Sequence, residues 1–241
     1  MAGQGQRNGG GHTVIALQAA DIQPFWLTLK LATITTLVLI ALAIPLARWL
    51  AFGRSPLRPV VETLCNLPLV LPPTVLGFYL LVSFSPVSFT GRWLQDVLGL
   101  KLVFTFSGLV IGSVIFSLPF MLQPLVAAFR QLPSNLIDAA RTLGKSESTI
   151  LTRVILPNAR AGLLSGTVLA FAHTVGEFGV VLMLGGGVSG DTQVASIALY
   201  RKVEALDYAG AHSYALVLVS FAFVVLLLLR LIQSRGEARP C

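Results

Sequence analysis

Long apolar stretches alternate with short polar ones along almost the whole chain. A helix needs about 20 apolar residues to cross the roughly 30 Å hydrocarbon core of a bilayer, because backbone polar groups cannot be left unbonded in lipid. Five segments reach that length and predict membrane-spanning helices: 25–50, one span within 63–91, one within 102–129, 161–184 and 208–229. Prolines interrupt the second and third segments, so broken or kinked helices are predicted there.

Composition places the chain outside the soluble globular class. Hydrophobic residues make up 55% and charged residues 11% of the 241 positions, and the mean hydropathy is +0.81, whereas about a quarter of a soluble domain is charged. The predicted fold class is an all-α polytopic membrane protein with about five transmembrane helices. The net charge of +7 comes from dispersed Lys and Arg residues, which favours a lipid environment over a nucleic-acid partner.

The distribution of Lys and Arg predicts the orientation, because basic residues close to span ends are retained on the cytoplasmic side. With the N-terminus outside and the C-terminus in the cytoplasm, six basic residues lie outside: Arg7, Lys30, Arg92, Lys101, Arg201 and Lys202. The other 11 lie inside: Arg48, Arg54, Arg58, Arg130, Arg141, Lys145, Arg153, Arg160, Arg230, Arg235 and Arg239. This orientation puts residues 130–160 on the cytoplasmic face.

The remaining organisation is simple. Residues 1–20 form a predicted flexible, Gly-rich tail without a signal-peptide pattern, 21–235 the transmembrane domain and 236–241 a short C-terminal tail. Cys65 and Cys241 lie far apart, with no CxxC and no Cys-His spacing of a zinc site. Free thiols and no metal site are therefore predicted.

The most polar long passage, 138–157, lies in the predicted cytoplasmic loop 131–158. Ser134 is predicted to cap a first helix that carries Asp138 in its first turn and stops at Gly144. Ser146 is predicted to cap a second helix, which ends before Pro157. One face of the first helix is apolar and has no bilayer to cover it, so we expect it to dock into a groove of a partner; its residues are Leu136, Ile137, Ala140 and Leu143.

The letters GKS at Gly144, Lys145 and Ser146 match the end of a phosphate-binding loop. Such a loop has a further Gly five positions before Gly144 and follows a strand, whereas position 139 is Ala on a predicted helix. The sequence therefore predicts a helix stop followed by a helix cap, and no nucleotide site on this chain.

The same loop carries a recognisable pattern. Asp138-Ala139-Ala140, then Gly144, then Val154-Ile155-Leu156-Pro157 resembles the EAA motif of inner-membrane permease subunits of ABC importers, with Asp for the usual Glu at 138 and Val for the usual Ile at 154. The stretches LPLVLPPTVLGFYLL (67–81) and AHTVGEFGVVLMLGG (172–186) resemble molybdate permeases and, less closely, sulfate and thiosulfate permeases. The resemblance covers residues from about 20 to 230.

This resemblance implies a type I ABC importer permease fold and a homodimer in the cell inner membrane. Two copies of a separate ATPase would dock on the cytoplasmic loops and use ATP and Mg²⁺, and a periplasmic binding protein would deliver the oxyanion. No catalytic residue and no bound cofactor are implied for this chain. The implied substrate is molybdate or tungstate, with sulfate or thiosulfate as the alternative. The residues implied in coupling to the ATPase are Asp138, Ala139, Ala140, Gly144, Leu156 and Pro157.

Glu177 is the one acid well inside a predicted span. A carboxylate at mid-membrane costs about 2.5 to 3.5 kcal/mol on insertion scales, so it needs a partner or water. It is predicted either to act as a gate or interhelix latch, or to make a structural hydrogen bond with His173 at i−4. The candidate residues for the translocation path or gate are Pro72, Pro73, Thr74, Gly77, Gly176, Glu177 and Gly179, although helix packing also explains the glycines.

Two further function classes stay open. An intramembrane enzyme would use Glu177 and His173 as an acid-base pair, but the sequence places no nucleophile, metal cluster or oxyanion hole beside them. A proton-driven secondary transporter would use Glu177 as a relay, but it has no use for a docking helix. In the predicted external segment 185–207, Arg201 and Lys202 are either contacts for the binding protein or ordinary solvated charges.

Overall fold

The computed structural model describes residues 19–237, with side chains described over 22–231, and this part of the chain is built from helices without strands. The predicted N-terminal tail falls almost wholly outside the described residues, as does the end of the C-terminal tail. The helices are α1 Ala19–Phe52, α2 Arg58–Asn66, α3 Pro73–Phe84, α4 Phe89–Leu98, α5 Phe106–Arg130, α6 Ser134–Thr142, α7 Glu147–Ile150, α8 Leu156–Asn158, α9 Arg160–Gly176, α10 Gly179–Gly185, α11 Ala195–Glu204 and α12 Tyr208–Glu237.

Three of the described helices, α1, α5 and α12, are long and apolar enough to cross a bilayer. Two bent pairs add to them: Arg58–Leu69 meets Pro73–Phe84 at 111°, and Glu147–Asn158 meets Arg160–Gly176 at 78°. The described chain therefore has three to five spans, in agreement with the predicted polytopic all-α class. The predicted break in the second span is confirmed, whereas α5 runs through Pro119 and Pro124 as one continuous helix.

Helix α5 is the centre of the bundle and packs against α1, α3, α9 and α10. Its C-terminal half contributes Leu125 and Phe129, both fully buried, to a core shared with Leu39 and Leu50 of α1. By contrast, only 11% of the apolar window of α12 is buried within the chain. Since that window is also the most hydrophobic of the three spans, α12 is the helix best suited to face lipid.

Small residues allow α9 to lie directly against α5. A Cβ added at Gly162 would lie 2.7 Å from the Pro124 carbonyl oxygen, and one added at Gly166 would lie 2.7 Å from the Met121 carbonyl oxygen. Gly162 and Gly166 are one helical turn apart, the spacing that lets two helix backbones approach in a membrane. This contact fixes α9, and with it the residues at its C-terminal end.

Candidate functional site

The predicted cytoplasmic loop, 131–158, begins as two short helices that meet at Gly144. Gly144 has a φ of +67°, its N–H donates to the Arg141 carbonyl at 2.9 Å, and the Lys145 N–H donates to the Ala140 carbonyl at 3.2 Å. This pair of bonds is a Schellman motif, which a left-handed glycine closes without a Cβ penalty. The predicted helix stop at Gly144 is confirmed, and its context is helical rather than that of a phosphate-binding loop.

The start of α6 differs from the prediction. Pro133, not Ser134, is the N-cap residue, and no side chain caps the helix. Pro133 has a φ of −60° and a ψ of 130°, and this extended conformation starts the helix one residue early. Asp138 consequently lies beyond the first turn and forms an ion pair with Arg141 at 3.5 Å.

The apolar face of α6 is divided between two surroundings. Ile137 and Ala140 are buried in the chain's own core beneath the loop, whereas Leu136 and Leu143 are 42% and 74% exposed. The expectation that all four residues face a partner is therefore wrong. Helix α6 lies on the bundle, and Ile137 and Ala140 complete the core of the bundle. The stripe left exposed at i, i+3, i+7 spacing is Leu136, Ala139 and Leu143.

The second helix begins as predicted but ends later. Ser146 caps α7 by accepting the Thr149 N–H at 3.3 Å. The prediction that this helix ends before Pro157 is wrong, because a π-helical turn over Leu151–Ile155 leads into α8, which contains Pro157. A wide turn suits this position because proline has no N–H for the normal i−4 bond. Among the motif residues, Asp138, Ala139, Gly144 and Pro157 are exposed, Leu156 is half-buried and Ala140 is buried.

Glu147 ties this loop to the first span. Its carboxylate accepts a hydrogen bond from Arg141 Nε at 3.0 Å and forms an ion pair with Arg48 near the end of α1. The Arg141 hydrogen bond lowers the pKa of Glu147 below its ordinary value. This contact could not be predicted from the sequence, since Arg48 and Glu147 are 99 positions apart.

The fourth predicted span, 161–184, is not one helix. It breaks at Glu177 and Phe178, between the end of α9 and the start of α10. Glu177 Oε1 accepts the Val180 N–H at 2.7 Å and therefore satisfies a donor at the start of α10. The Ser196 hydroxyl donates to the Glu177 carbonyl at 2.6 Å, so α11 holds the break in place.

The predicted hydrogen bond between His173 and Glu177 is absent, because the helix that would align them ends at Gly176. His173 Nδ1 instead lies 3.0 Å from the Ser117 hydroxyl of α5, and its ring stacks on Phe120 with 3.9 Å between centroids. The acid-base pair that an intramembrane enzyme would need is therefore not formed.

A cavity of about 470 Å³ opens beside the break. It brings together five of the seven predicted path residues, Pro73, Thr74, Gly176, Glu177 and Gly179, with Phe116, Ala172, His173 and Phe178. Glu177 is only 4% exposed, and within the described part of the structure its Oε2 has no hydrogen-bond partner. One carboxylate oxygen thus caps a helix, while the other is buried without a hydrogen-bond partner among the described residues.

The other two predicted path residues do not line this cavity. The Pro72 carbonyl accepts the N–H groups of Val75 and Leu76 at 3.0 and 3.2 Å in the first turn of α3. Gly77 packs against α10, where an added Cβ would lie 2.9 Å from the Met183 Cβ. Both residues shape α3 and its contact with α10.

A polar contact between α2 and α5 was missed by the sequence reasoning. Arg130 donates to both carboxylate oxygens of Glu62, at 3.1 and 2.8 Å, and Gln123 Nε2 donates to Asn66 Oδ1 at 3.2 Å. The available signal was an amide side chain, Gln123, in an otherwise apolar predicted span.

On the predicted external side, Arg201 and Lys202 line a cavity of about 300 Å³ with Gln193 and Asp207. Lys202 pairs with Asp207 at 3.1 Å, and Arg201 donates to the Gly186 carbonyl at 3.3 Å. These contacts hold α11 to its flanking loops and leave the role of both cations in binding a partner as a prediction.

Long apolar helices, two bent helix pairs with an open cavity beside Glu177, and a helical loop exposed at one end are features of membrane transport proteins. The chain belongs to the family of binding-protein-dependent transport system inner membrane components, which matches residues 19–237.

Individual relatives agree with this assignment. Over 211 residues the chain is 46% identical to the molybdenum transport system permease protein ModB of Azotobacter vinelandii, covering 87% of this chain and 93% of that protein. Over 186 residues it is 30% identical to the sulfate transport system permease protein CysT of Escherichia coli K12, covering 77% and 67%.

A solved bacterial alginate ABC transporter, in complex with an alginate pentasaccharide-bound periplasmic protein, has a TM-score of 0.74 at 20% identity and covers 93% of this chain and 82% of that one. At this identity the likeness shows the fold alone. The predicted type I importer permease fold is confirmed.

Proposed function

We propose that this chain is the permease subunit of an ATP-driven importer and forms the inner-membrane path for molybdate or tungstate. The observation that carries the proposal is the 46% identity to a molybdenum permease over 87% of the chain. The exposed loop at Asp138, Ala139 and Gly144 supports it, because these motif residues stand at the surface where a motor subunit can reach them.

The proposed assembly is a homodimer of this chain with two ATPase subunits on the loops 131–158 and an oxyanion-binding protein on the opposite side. The N-terminus lies outside and the C-terminus in the cytoplasm, as the distribution of Lys and Arg indicates. The chain itself performs no catalysis and binds no cofactor, and ATP and Mg²⁺ are used by the ATPase. The stripe of Leu136, Ala139 and Leu143 is the proposed contact with the ATPase cleft.

In this assembly, closure of the ATPase on ATP favours one global state of the permease through contacts of α6 that differ between the two states. The proposed gate lies at the junction of α9 and α10, and the break at Glu177 with the cavity beside it supports this proposal. A carboxylate repels an oxyanion, so Glu177 is proposed to hold the gate rather than to bind the cargo.

The test is uptake into proteoliposomes that contain this chain with its ATPase, supplied with the binding protein and equal concentrations of molybdate, tungstate or sulfate. Molybdate and tungstate are expected to accumulate only when ATP is present, and no accumulation of sulfate is expected. Uptake that continues without ATP but follows a proton gradient would contradict the importer.

A sulfate permease is the second candidate, favoured by the 30% identity to CysT. ATP-dependent accumulation of sulfate in preference to molybdate in the same vesicles would establish it and would leave the rest of the mechanism unchanged.

A further inference from the structure

Two polar pairs join α2 to α5 side by side. Glu62 and Asn66 are one turn apart on α2, and their partners Arg130 and Gln123 are seven residues apart on one face of α5. The Arg130 guanidinium spans both oxygens of Glu62, with N···O distances of 3.1 and 2.8 Å. This bidentate geometry is the one that guanidinium also uses for tetrahedral oxyanions.

The two pairs rim a cavity of about 210 Å³ whose apolar wall includes Leu50, Leu122 and Val126. Gln123 is exposed and lies about 10 Å along α5 from Arg130, at 1.5 Å per residue. An amide at that depth is costly against lipid, so this face of α5 is expected to meet water or a neighbouring permease surface rather than acyl chains. The Arg130 guanidinium and the Gln123 and Asn66 amides on the rim of this cavity are donors that suit an anion.

Arg130 also lines a second cavity of about 570 Å³ on the side of the cytoplasmic loop. Arg54 and Arg141 line the same cavity, together with Ser134 and Asp138 at the base of α6. Arg130 therefore lines both cavities. The first lies between α2 and α5, and the second is lined by Ser134 and Asp138 of α6, the helix that carries the motif.

We propose that Arg130 binds the transported tetrahedral oxyanion at the cytoplasmic end of the path, and that Glu62 occupies the same guanidinium when no anion is present. The inference rests on the proposed function. An arriving dianion displaces the Glu62 carboxylate from Arg130, and release toward Arg54 and Arg141 lets Glu62 return. Because the second cavity includes Asp138 and Ser134 of α6, movement of this helix alters the surroundings of Arg130 and links anion release to the ATPase cycle.

The first test titrates molybdate into the purified complex of permease and ATPase, without the binding protein, by isothermal calorimetry. Glu62→Gln removes the internal competitor and is expected to tighten binding about tenfold, the scale of one charge-assisted hydrogen bond. Arg130→Gln is expected to abolish measurable binding. Arg130→Lys is expected to weaken binding, because lysine keeps the positive charge but cannot make the bidentate hydrogen bonds of a guanidinium. Arg92→Gln, on the predicted external side, is the matched control and is expected to bind like the parent. Equal affinities in the parent, Glu62→Gln and Arg130→Gln proteins would overturn the proposal.

The second test separates binding from a structural ion pair. In proteoliposomes with ATPase and binding protein, Arg130→Gln is expected to lower molybdate uptake about tenfold or more while the ATPase still responds to the loaded binding protein. The double variant Glu62→Gln with Arg130→Gln removes both charges and leaves no unpaired carboxylate. It is expected to stay as defective as the single variant; recovery of uptake would show that Arg130 serves only to neutralise Glu62 and would sink the proposal.

Uptake by the parent protein distinguishes failure of the proposed role of Arg130 from failure of the proposed function. If the parent accumulates molybdate and Arg130→Gln does so equally well, only the role of Arg130 is refuted. If the parent accumulates no oxyanion with ATP, the proposed function fails and the inference fails with it.

Discussion

At the scale of single residues, two glycines of α9 have opposite surroundings. A Cβ at Gly166 would lie 2.7 Å from the Met121 carbonyl oxygen of α5, which cannot move without moving the helix, whereas a Cβ at Gly176 would meet nothing within 4 Å. Gly166 is thus required for helix packing, and Gly176 leaves space at the cavity beside Glu177.

We expect Gly166→Ala to destabilise the protein by about 1 to 3 kcal/mol through overpacking, which lowers the melting temperature by about 2 to 4 °C per kcal/mol for a chain of this length. Gly176→Ala is the control and is expected to melt within a degree or two of the parent. Thermal unfolding in detergent, followed by circular dichroism, checks both. Equal melting temperatures for the two variants would mean that α9 and α5 separate easily and that the small-residue contact is not what joins them.

At the scale of helices, Glu147 forms an ionic link between the loop 131–158 and α1 in the described part of the chain. The pairs with Arg48 and Arg141 are exposed, so solvent screens them and they add little to the stability of the bundle. Their value lies in transmission, because α1 packs along α5 and α9. The pairs add a directional contact to the apolar one, in which Ile137 and Ala140 of the loop share a core with Leu50 of α1.

We therefore predict that Glu147→Gln lowers molybdate uptake per ATP hydrolysed about three- to tenfold, the effect of losing one or two such pairs, without detaching the ATPase. Arg48→Gln breaks only the link to α1 and keeps the Arg141 contact inside the loop, so it is expected to uncouple as well. Asp96→Asn, exposed on α4, is the control. Uptake and phosphate release measured in the same vesicles check this, and normal coupling in Arg48→Gln would place the transmission elsewhere.

The helices also show what the sequence can and cannot predict. Hydropathy located the apolar spans, and the prolines near 68–73 predicted the break before α3, because both signals are local. The break at Glu177 depends on Ser196, 19 positions away, so the apolar run around it resembled one continuous helix. The start of α6 after Pro133 and the π-helical turn before Pro157 were missed although a proline stands beside each, because the prediction took Ser134 as the cap and Pro157 as a helix stop.

For the candidate site, too, the sequence predicts what local signals encode and misses contacts between distant positions. Motif spacing and the mid-span acid identified the loop and five residues that share the cavity near Glu177. The contacts of Glu62 with Arg130, and of Arg48 with Glu147, join residues 68 and 99 positions apart, and a single sequence carries no pattern for pairs so distant. Charge alone marks these residues as basic or acidic, without showing that they meet.

At the scale of the whole molecule, function depends on which end of the bundle faces the cytoplasm. The loop with its coupling motif and the residues around Arg130 must lie on the side of ATP, and the cavity beside Arg201 and Lys202 on the other. The excess of Lys and Arg near the ends of the spans on one side supports this orientation. In this orientation the proposed exit at Arg130 and the ATPase lie on the same side of the membrane.

Cysteine labelling tests the orientation directly. The chain has two cysteines, Cys65 and Cys241, so a background with both changed to Ser provides a clean start. In that background Asp191→Cys, exposed in the loop before α11, is expected to react with a membrane-impermeant maleimide in intact spheroplasts. Ser148→Cys, exposed in the coupling loop, is expected to react only in inverted vesicles, where the cytoplasmic face is outside. The reverse pattern would invert the orientation, put Arg130 at the entrance rather than the exit, and separate the coupling motif from the ATPase that it is proposed to contact.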